Sequence, residues 1–195
     1  MVENQPLRAI ESPAFQAMVK QANPLADRYL WKSHNTLRSY VLAEYNAFVP
    51  SVINYLQQSR SLIHISFDNW TSTGGKHAIT GLCVHHLDSN GKPVDYVLGL
   101  PTLQGAHTGN NVGLIVSSTL KQFKIGQPDS SVARLGYFVL DNAINNNTAV
   151  AQLAEEFNFS AQQRQLRCSC YILNLTAQKI LFGRDYNAFT NVTNV

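Results

Sequence analysis

Leu62-Ile63-His64-Ile65-Ser66-Phe67-Asp68-Asn69-Trp70 and, further along, Leu135-Gly136-Tyr137-Phe138-Val139-Leu140-Asp141-Asn142 are the two stretches on which the fold of this chain turns. Each is an apolar, strand-like run that closes on an Asp-Asn step. The second is nearly continuous in its apolar character, as expected of a strand buried on both faces. In α/β sheets functional groups collect at the carboxyl ends of strands, where loops leave the packed core. If these two strands lie side by side, Asp68 and Asp141 emerge at one rim. Carboxylate oxygens are the hard ligands that Mg²⁺ prefers, and two metals about 3.5–4 Å apart can clamp the attacking and leaving oxygens of a phosphoryl transfer. The same Asp-Asn step is also turn and helix-cap chemistry, because both side chains bond nearby backbone N–H groups. Asp141 could cap a helix beginning near Ala143, and on spacing alone that plainer reading is the stronger one.

Working outward, His77 to Leu87 and Val94 to Leu100 read as two further strands on either side of Asp88-Ser89-Asn90-Gly91. Asn-Gly is the strongest short hairpin signal, so these strands are expected to be antiparallel neighbours. After Gly105 the helical period takes over, with Val112, Ile115, Val116, Thr119, Leu120 and Phe123 on one stripe. A second amphipathic helix follows Asp141, carrying Ala149, Val150, Leu153, Ala154 and Phe157. Arg164 to Cys168 could add a short strand and Leu173 to Leu181 a last helix. Upstream, Ser12-Pro13 opens a short helix that Asn23-Pro24 closes. A longer one runs from about Asn35 to Leu56 on Leu37, Val41, Tyr45, Phe48 and Val52, with Pro50 expected to kink or split it. The order helices, then β-β-β-α-β-α, then β-α implies an α/β fold: a mixed sheet with flanking helices and a helical N-terminal lead-in.

Composition sets broader limits. With 195 residues, 45% hydrophobic and 14% charged, the chain has the make-up of a globular domain with its own core. No apolar run approaches the roughly 20 residues that span a bilayer, and the first twenty lack the basic-then-apolar order of a secretory signal. A soluble, intracellular protein without membrane contact is expected. Three cysteines, Cys83, Cys168 and Cys170, make no disulfide framework. The sequons at Asn69, Asn146, Asn158, Asn174 and Asn191 are read as chance in an Asn-rich chain. A net charge of +3, with Lys and Arg scattered, permits nucleic-acid binding without arguing for it.

Several smaller constellations carry less. Cys168, Cys170, His85 and His86 lack structural-zinc spacing, and neighbouring histidines on a strand face opposite ways. Thr73-Gly74-Gly75-Lys76 is only a fragment of a phosphate-binding loop. Ser72 has no His and Asp partners in view for nucleophilic catalysis. Trp70 could stack on a base, although a Trp beside a strand end is more often packed.

The residues around both acids resemble the signature blocks of the hAT superfamily of DNA transposases. Ile65-Ser66-Phe67-Asp68-Asn69-Trp70-Thr71-Ser72 is similar to the apolar strand and D-x-W-T-S around that family's first acid, and Leu140-Asp141-Asn142-Ala143-Ile144-Asn145-Asn146 to the second, D-N-A-x-N-N. Between them, Gly105-Ala106-His107-Thr108-Gly109-Asn110-Asn111-Val112 resembles H-T-G-x-N-(I/V). Arg167-Cys168-Ser169-Cys170-Tyr171-Ile172-Leu173-Asn174-Leu175 is similar to R-C-x-x-H-x-L-N-L. Ile10-Glu11-Ser12-Pro13-Ala14-Phe15 echoes a family element in the lead-in, so the likeness covers roughly residues 7–183.

This resemblance implies an RNase H-like fold and metal-dependent DNA cleavage and strand transfer. Asp68 and Asp141 would be catalytic ligands of Mg²⁺ or Mn²⁺. Trp70, His107, Arg167, Cys168 and Tyr171 would lie near the DNA. It implies transposon-end DNA as partner, self-association or association with intact transposase, and a nuclear setting, although no import run is visible and a cytoplasmic one is the alternative. Residues 1–60 are then the helical lead-in, 61–183 a partial RNase H-like catalytic domain and 184–195 a truncated tail. Tyr171 departs from the family's histidine, and a phenol cannot carry protons near neutral pH as imidazole does. The family's third acid, a glutamate after a long insertion, has no counterpart, since Glu155 and Glu156 lie on the helix after Asp141. The expected upstream zinc finger and C-terminal dimerisation region have none either. The expectation is therefore a catalytically incomplete fragment, the alternative a non-catalytic transposase-derived remnant that binds DNA or protein.

Overall fold

The structure is a computed structural model that describes residues 6–72, 74, 77–103, 105–126 and 135–182. The chain divides into two compact units, Met1–Val52 and Ile53–Val195. In the first, a 3-10 turn (Leu7–Glu11) leads to α1 (Pro13–Ala22), a second turn (Pro24–Arg28) and the start of α2 (His34–Gln57). Ser12 is the N-cap of α1 with proline behind it, although its side chain makes no capping bond. The Glu11 carboxylate accepts from both the backbone N–H (2.8 Å) and Nδ1 (2.7 Å) of His34, and those bonds hold its carboxyl below the usual range. Pro50 does not split α2: the helix runs unbroken to Gln57. The only buried residue on it, Leu56, belongs to the second unit.

The second unit is built on a six-stranded mixed sheet in the order β3-β2-β1-β5-β6, with β4 beside β2. The strands are β1 (Ile63–Thr71), β2 (Ala78–Leu87), β3 (Pro93–Gly99), β4 (Thr102–Leu103), β5 (Leu135–Leu140) and β6 (Gln165–Arg167). β1 pairs antiparallel with β2 and parallel with β5, and β6 continues the parallel side. The helices are α3 (Gly109–Gln122), α4 (Ile144–Phe157), the short α5 (Ala161–Arg164) and α6 (Ser169–Phe182). This mixed α/β arrangement, a sheet flanked by helices, is compatible with the RNase H-like fold.

Alternation explains the layers. Ile63, Ile65 and Phe67 of β1 and Leu82 and Val84 of β2 point into one core, while His64, Ser66, Cys83 and His85 point to the other face. Val112, Val116 and Leu120 of α3 and Ala149, Val150 and Leu153 of α4 complete that core. At its centre Phe138 is fully buried, edge-on to Phe67 at 6.5 Å and stacked on Phe159 at 5.5 Å. Each such apolar side chain contributes about 1.5–3 kcal/mol by leaving water. The β2–β3 hairpin forms where Asn-Gly predicts it: Gly91 takes φ +80, and Asp88 Oδ1 accepts from the N–H groups of Asn90 (2.8 Å) and Lys92 (2.9 Å). The helices α3 and α4 approach closely because Gly109 and Gly113 lack side chains; a Cβ on Gly109 would stand 2.5 Å from the Asn145 carbonyl oxygen.

Two boundaries differ from expectation. β1 does not end on Asp68 but continues through Asn69, Trp70 and Thr71, because β2 pairs with it as far as Ala78. The last helix begins at Ser169 rather than Leu173. Of the Thr73-Gly74-Gly75-Lys76 stretch only Gly74, with φ +88, is among the described residues, and the tail at 184–195 lies outside them.

Candidate functional site

Parallel pairing of β1 with β5 sets Ile65 opposite Phe138. The ladder ends at that pair, after a register irregularity between Ile63 and Ile65, and Asp68 and Asp141 each lie three residues further along their chains. Asp68 is held inside the antiparallel ladder opposite Gly81. It is exposed, and its Oδ1 accepts from the N–H of Asn69 (2.8 Å). Asp141 stands just past β5. Its Oδ1 accepts from the N–H of Ala143 (3.0 Å) and from Asn146 Nδ2 (2.6 Å). The N-cap of α4 is Ala143, which makes no side-chain capping bond. Asp141 therefore shapes the turn ahead of α4 without occupying the cap position.

The loop before α3 reaches the same rim. His107 Nε2 lies 3.4 Å from Thr71 Oγ1, at the end of β1, and the His107 carbonyl accepts from Asn145 Nδ2 (2.8 Å) in the first turn of α4. Thr108 caps α3 through its side chain, which accepts from Asn111 N–H. Asn111 Nδ2 in turn donates to the Ala106 carbonyl (2.8 Å). On the other side, β6 pairs Arg167 with Leu140, and the Cys168 N–H donates to the Leu140 carbonyl (2.7 Å) immediately before Asp141. Asp68, His107, Asp141, Arg167 and Cys168 thus come from four separate segments to one end of the sheet. Tyr171 is exposed in the first turn of α6, just after Cys168. Trp70 is 43% exposed, its ring lying across Gly81.

The remaining candidates fall elsewhere. His86 is buried against Tyr55 and Tyr96, while His85 faces the opposite side and meets Ser66 Oγ at 2.8 Å. Glu156 forms an ion pair with Lys121 of α3 and bonds Ser117, which hold its carboxyl below the usual range. Among the described residues no group of three or more His, Cys, Asp or Glu is placed to hold a metal ion. Asp68 and Asp141 stand there as a pair of hard oxygen donors, a set that suits Mg²⁺ or Mn²⁺ in kind.

Reading residue types missed Thr71, Asn145 and Asn146. A signal was present, for Asn142, Asn145, Asn146 and Asn147 crowd a helix start, where asparagine is a mediocre helix former once past the cap. Asn146 is nevertheless only 5% exposed, committed to the Asp141 carboxylate.

No protein-family profile matches the chain. Over 180 residues it is 24% identical to a candidate AC transposase of Zea mays, covering 89% of the chain and 21% of that protein. A candidate AC9 transposase of the same plant gives 24% over 180 residues, 89% of the chain and 20% of that protein. The chain thus has a transposase-like relationship to these two maize proteins. A candidate transcriptional regulator of Talaromyces stipitatus, tpeD, is 25% identical over 189 residues, 93% of the chain and 21% of that protein. The chain spans about a fifth of the length of the curated relatives it matches. Among the described residues no helix is long and apolar enough to cross a membrane.

Proposed function

We propose that this chain supplies two acids, Asp68 and Asp141, of a transposase-type site for DNA strand cleavage and transfer. The observation that supports this reading is the parallel pairing of β1 with β5, from whose last pair, Ile65 with Phe138, Asp68 and Asp141 each lie three residues on toward the same end of the sheet. Each carboxylate commits Oδ1 to local N–H or amide donors, which leaves Oδ2 as the natural metal-facing oxygen. Mg²⁺ or Mn²⁺, when bound, supplies Lewis-acid polarisation of a phosphoryl oxygen and a more acidic attacking hydroxyl. The protein's part is to hold the acids at one end of the sheet, to place His107 and Arg167 beside the DNA backbone, and to offer Trp70 and Tyr171 as stacking surfaces. Cys168 lines the same approach. DNA, in particular transposon ends, is the proposed partner, with the nucleus as the setting and pairing with a second transposase chain as the assembly.

The experiment is titration of the purified chain with Mn²⁺ by calorimetry, beside Asp68→Asn and Asp141→Asn. Binding in the parent and its loss in both variants is expected. A folded parent that takes up no metal would overturn the catalytic reading.

A second reading, a non-catalytic DNA- or protein-binding remnant, draws on the likeness to a candidate transcriptional regulator. It predicts salt-sensitive DNA binding that Mn²⁺ leaves unchanged, with no cleavage.

A further inference from the structure

We infer that Asn145 and Asn146 are positioning residues with complementary roles, Asn146 fixing the Asp141 carboxylate and Asn145 tying the His107 loop to the same helix end. The inference rests on the proposed role of Asp141 as a metal ligand and extends it to residues that never touch the metal.

The placement of these residues makes the case. An asparagine inside a helix gives up several tenths of a kcal/mol against a better helix former, and α4 carries three in succession from Asn145 to Asn147. They do not cap their own helix, since the N-cap is Ala143 and no side-chain cap bond exists. Asn146 is only 5% exposed, and a buried amide needs partners. The partner it has is a carboxylate oxygen at 2.6 Å, a charge-assisted bond. Together with the Ala143 N–H at 3.0 Å it occupies Oδ1 from two directions. The carboxylate cannot rotate without breaking both bonds, so Oδ2 keeps one direction.

Asn145 serves the neighbouring segment. Its Nδ2 donates to the His107 carbonyl at 2.8 Å, while the His107 ring lies 3.4 Å from Thr71 Oγ1. One residue therefore bridges the strand of the first acid and the helix that follows the second. The bridge needs α3 and α4 in near-backbone contact at this end, where a Cβ on Gly109 would stand 2.5 Å from both the Asn145 carbonyl oxygen and Thr148 Cβ. Adjacent asparagines thus set two different groups from one helical turn.

The test has a metal-free arm and a metal arm. In the ¹⁵N-labelled, metal-free chain, Asp141→Ala should shift the side-chain amide signals of Asn146 strongly and those of Asn145 little. Asn145→Ala should quicken the backbone motion of residues 105–108, read by ¹⁵N relaxation. With Mn²⁺, Asn146→Leu, similar in size but without the amide, should bind about tenfold more weakly. Asn146→Gln should recover part of that loss, and Asn145→Ala should leave the affinity unchanged. If Asn146→Leu fails to fold, Asn146→Ser replaces it in the same comparison. Parent-like Mn²⁺ affinity in a folded Asn146 variant overturns the inference. So does an Asn146 amide indifferent to Asp141→Ala. A parent chain that binds no Mn²⁺ sinks the metal reading alone, and the metal-free arm then decides whether Asn146 holds the carboxylate.

Discussion

Opposite Asp68 on β2 stands Gly81, and the space its missing side chain leaves is filled by Trp70, whose ring atoms would lie 2.7 and 2.9 Å from a Cβ built there. Gly81→Ala must push the indole off β2. In a Trp31→Phe background, Trp70 emission should shift to the red, with stability falling by about 1–3 kcal/mol in a denaturant titration. Tyr96 shows the reverse economy. Its hydroxyl is buried without a partner among the described residues, and burial, aided by Tyr55, pushes its pKa up to about 12. Tyr96→Phe removes an unsatisfied group and should raise Tm, the gain being on the order of 1 kcal/mol. Across the sheet, His64 stacks on Tyr137, and its Nδ1 accepts the Tyr137 N–H at 3.1 Å. Burial, with the nearby His85, lowers its pKa below the ordinary 6.5. The unfolded chain therefore binds this proton first, and His64 favours the fold above pH 6.5. That contribution is lost as pH falls through 6.5 towards the lower folded-state value, so Tm should drop over this range and drop less in His64→Gln.

Between elements, the contact of α3 with α4 depends on Gly109 and Gly113, and a Cβ on Gly109 would meet backbone oxygen rather than a side chain that can swing away. Gly109→Ala should cost about 2–3 kcal/mol in chemical denaturation and loosen the His107 loop that α3 follows. The elements most legible in the sequence are those whose signal is local. The β2–β3 turn is written in Asn90-Gly91, and β5 in the unbroken apolar run Leu135–Leu140. The first strand is legible only to Phe67. Asp68-Asn69 reads as a stop, yet pairing with Thr80 and Gly81 carries the strand through both residues, a tertiary effect that local propensity cannot register. Pro50 likewise reads as a break, but α2 passes it without interruption. A strand as short as β4 leaves no period to detect, being held by its neighbour β2, whereas β6 forms within the Arg164–Cys168 stretch expected to add a short strand. Asp141, Asn145 and Asn146 all fall inside one block that carries the resemblance, but the bonds of Asn146 to Asp141 and of Asn145 to the His107 carbonyl are contacts that spacing does not reveal.

At the scale of the whole chain, a net charge of +3 without a basic stripe limits how many phosphates it can engage. If DNA is the partner as proposed, affinity for the duplex should therefore fall only gently with salt, with a log–log slope of roughly −2 to −3. A much steeper slope would reveal a basic surface that the scattered Lys and Arg do not suggest. The extension of β1 to Thr71 bears on the chain's spontaneous opening. Asp68 lies within paired backbone that comes apart only when the β1–β2 ladder does, whereas Asp141 rests on a turn secured by its own side chain. Amide hydrogens around the first acid should accordingly exchange with solvent on the slow timescale of global unfolding. Those at 141–143 should exchange through frequent local excursions, so the rim breathes from one side only.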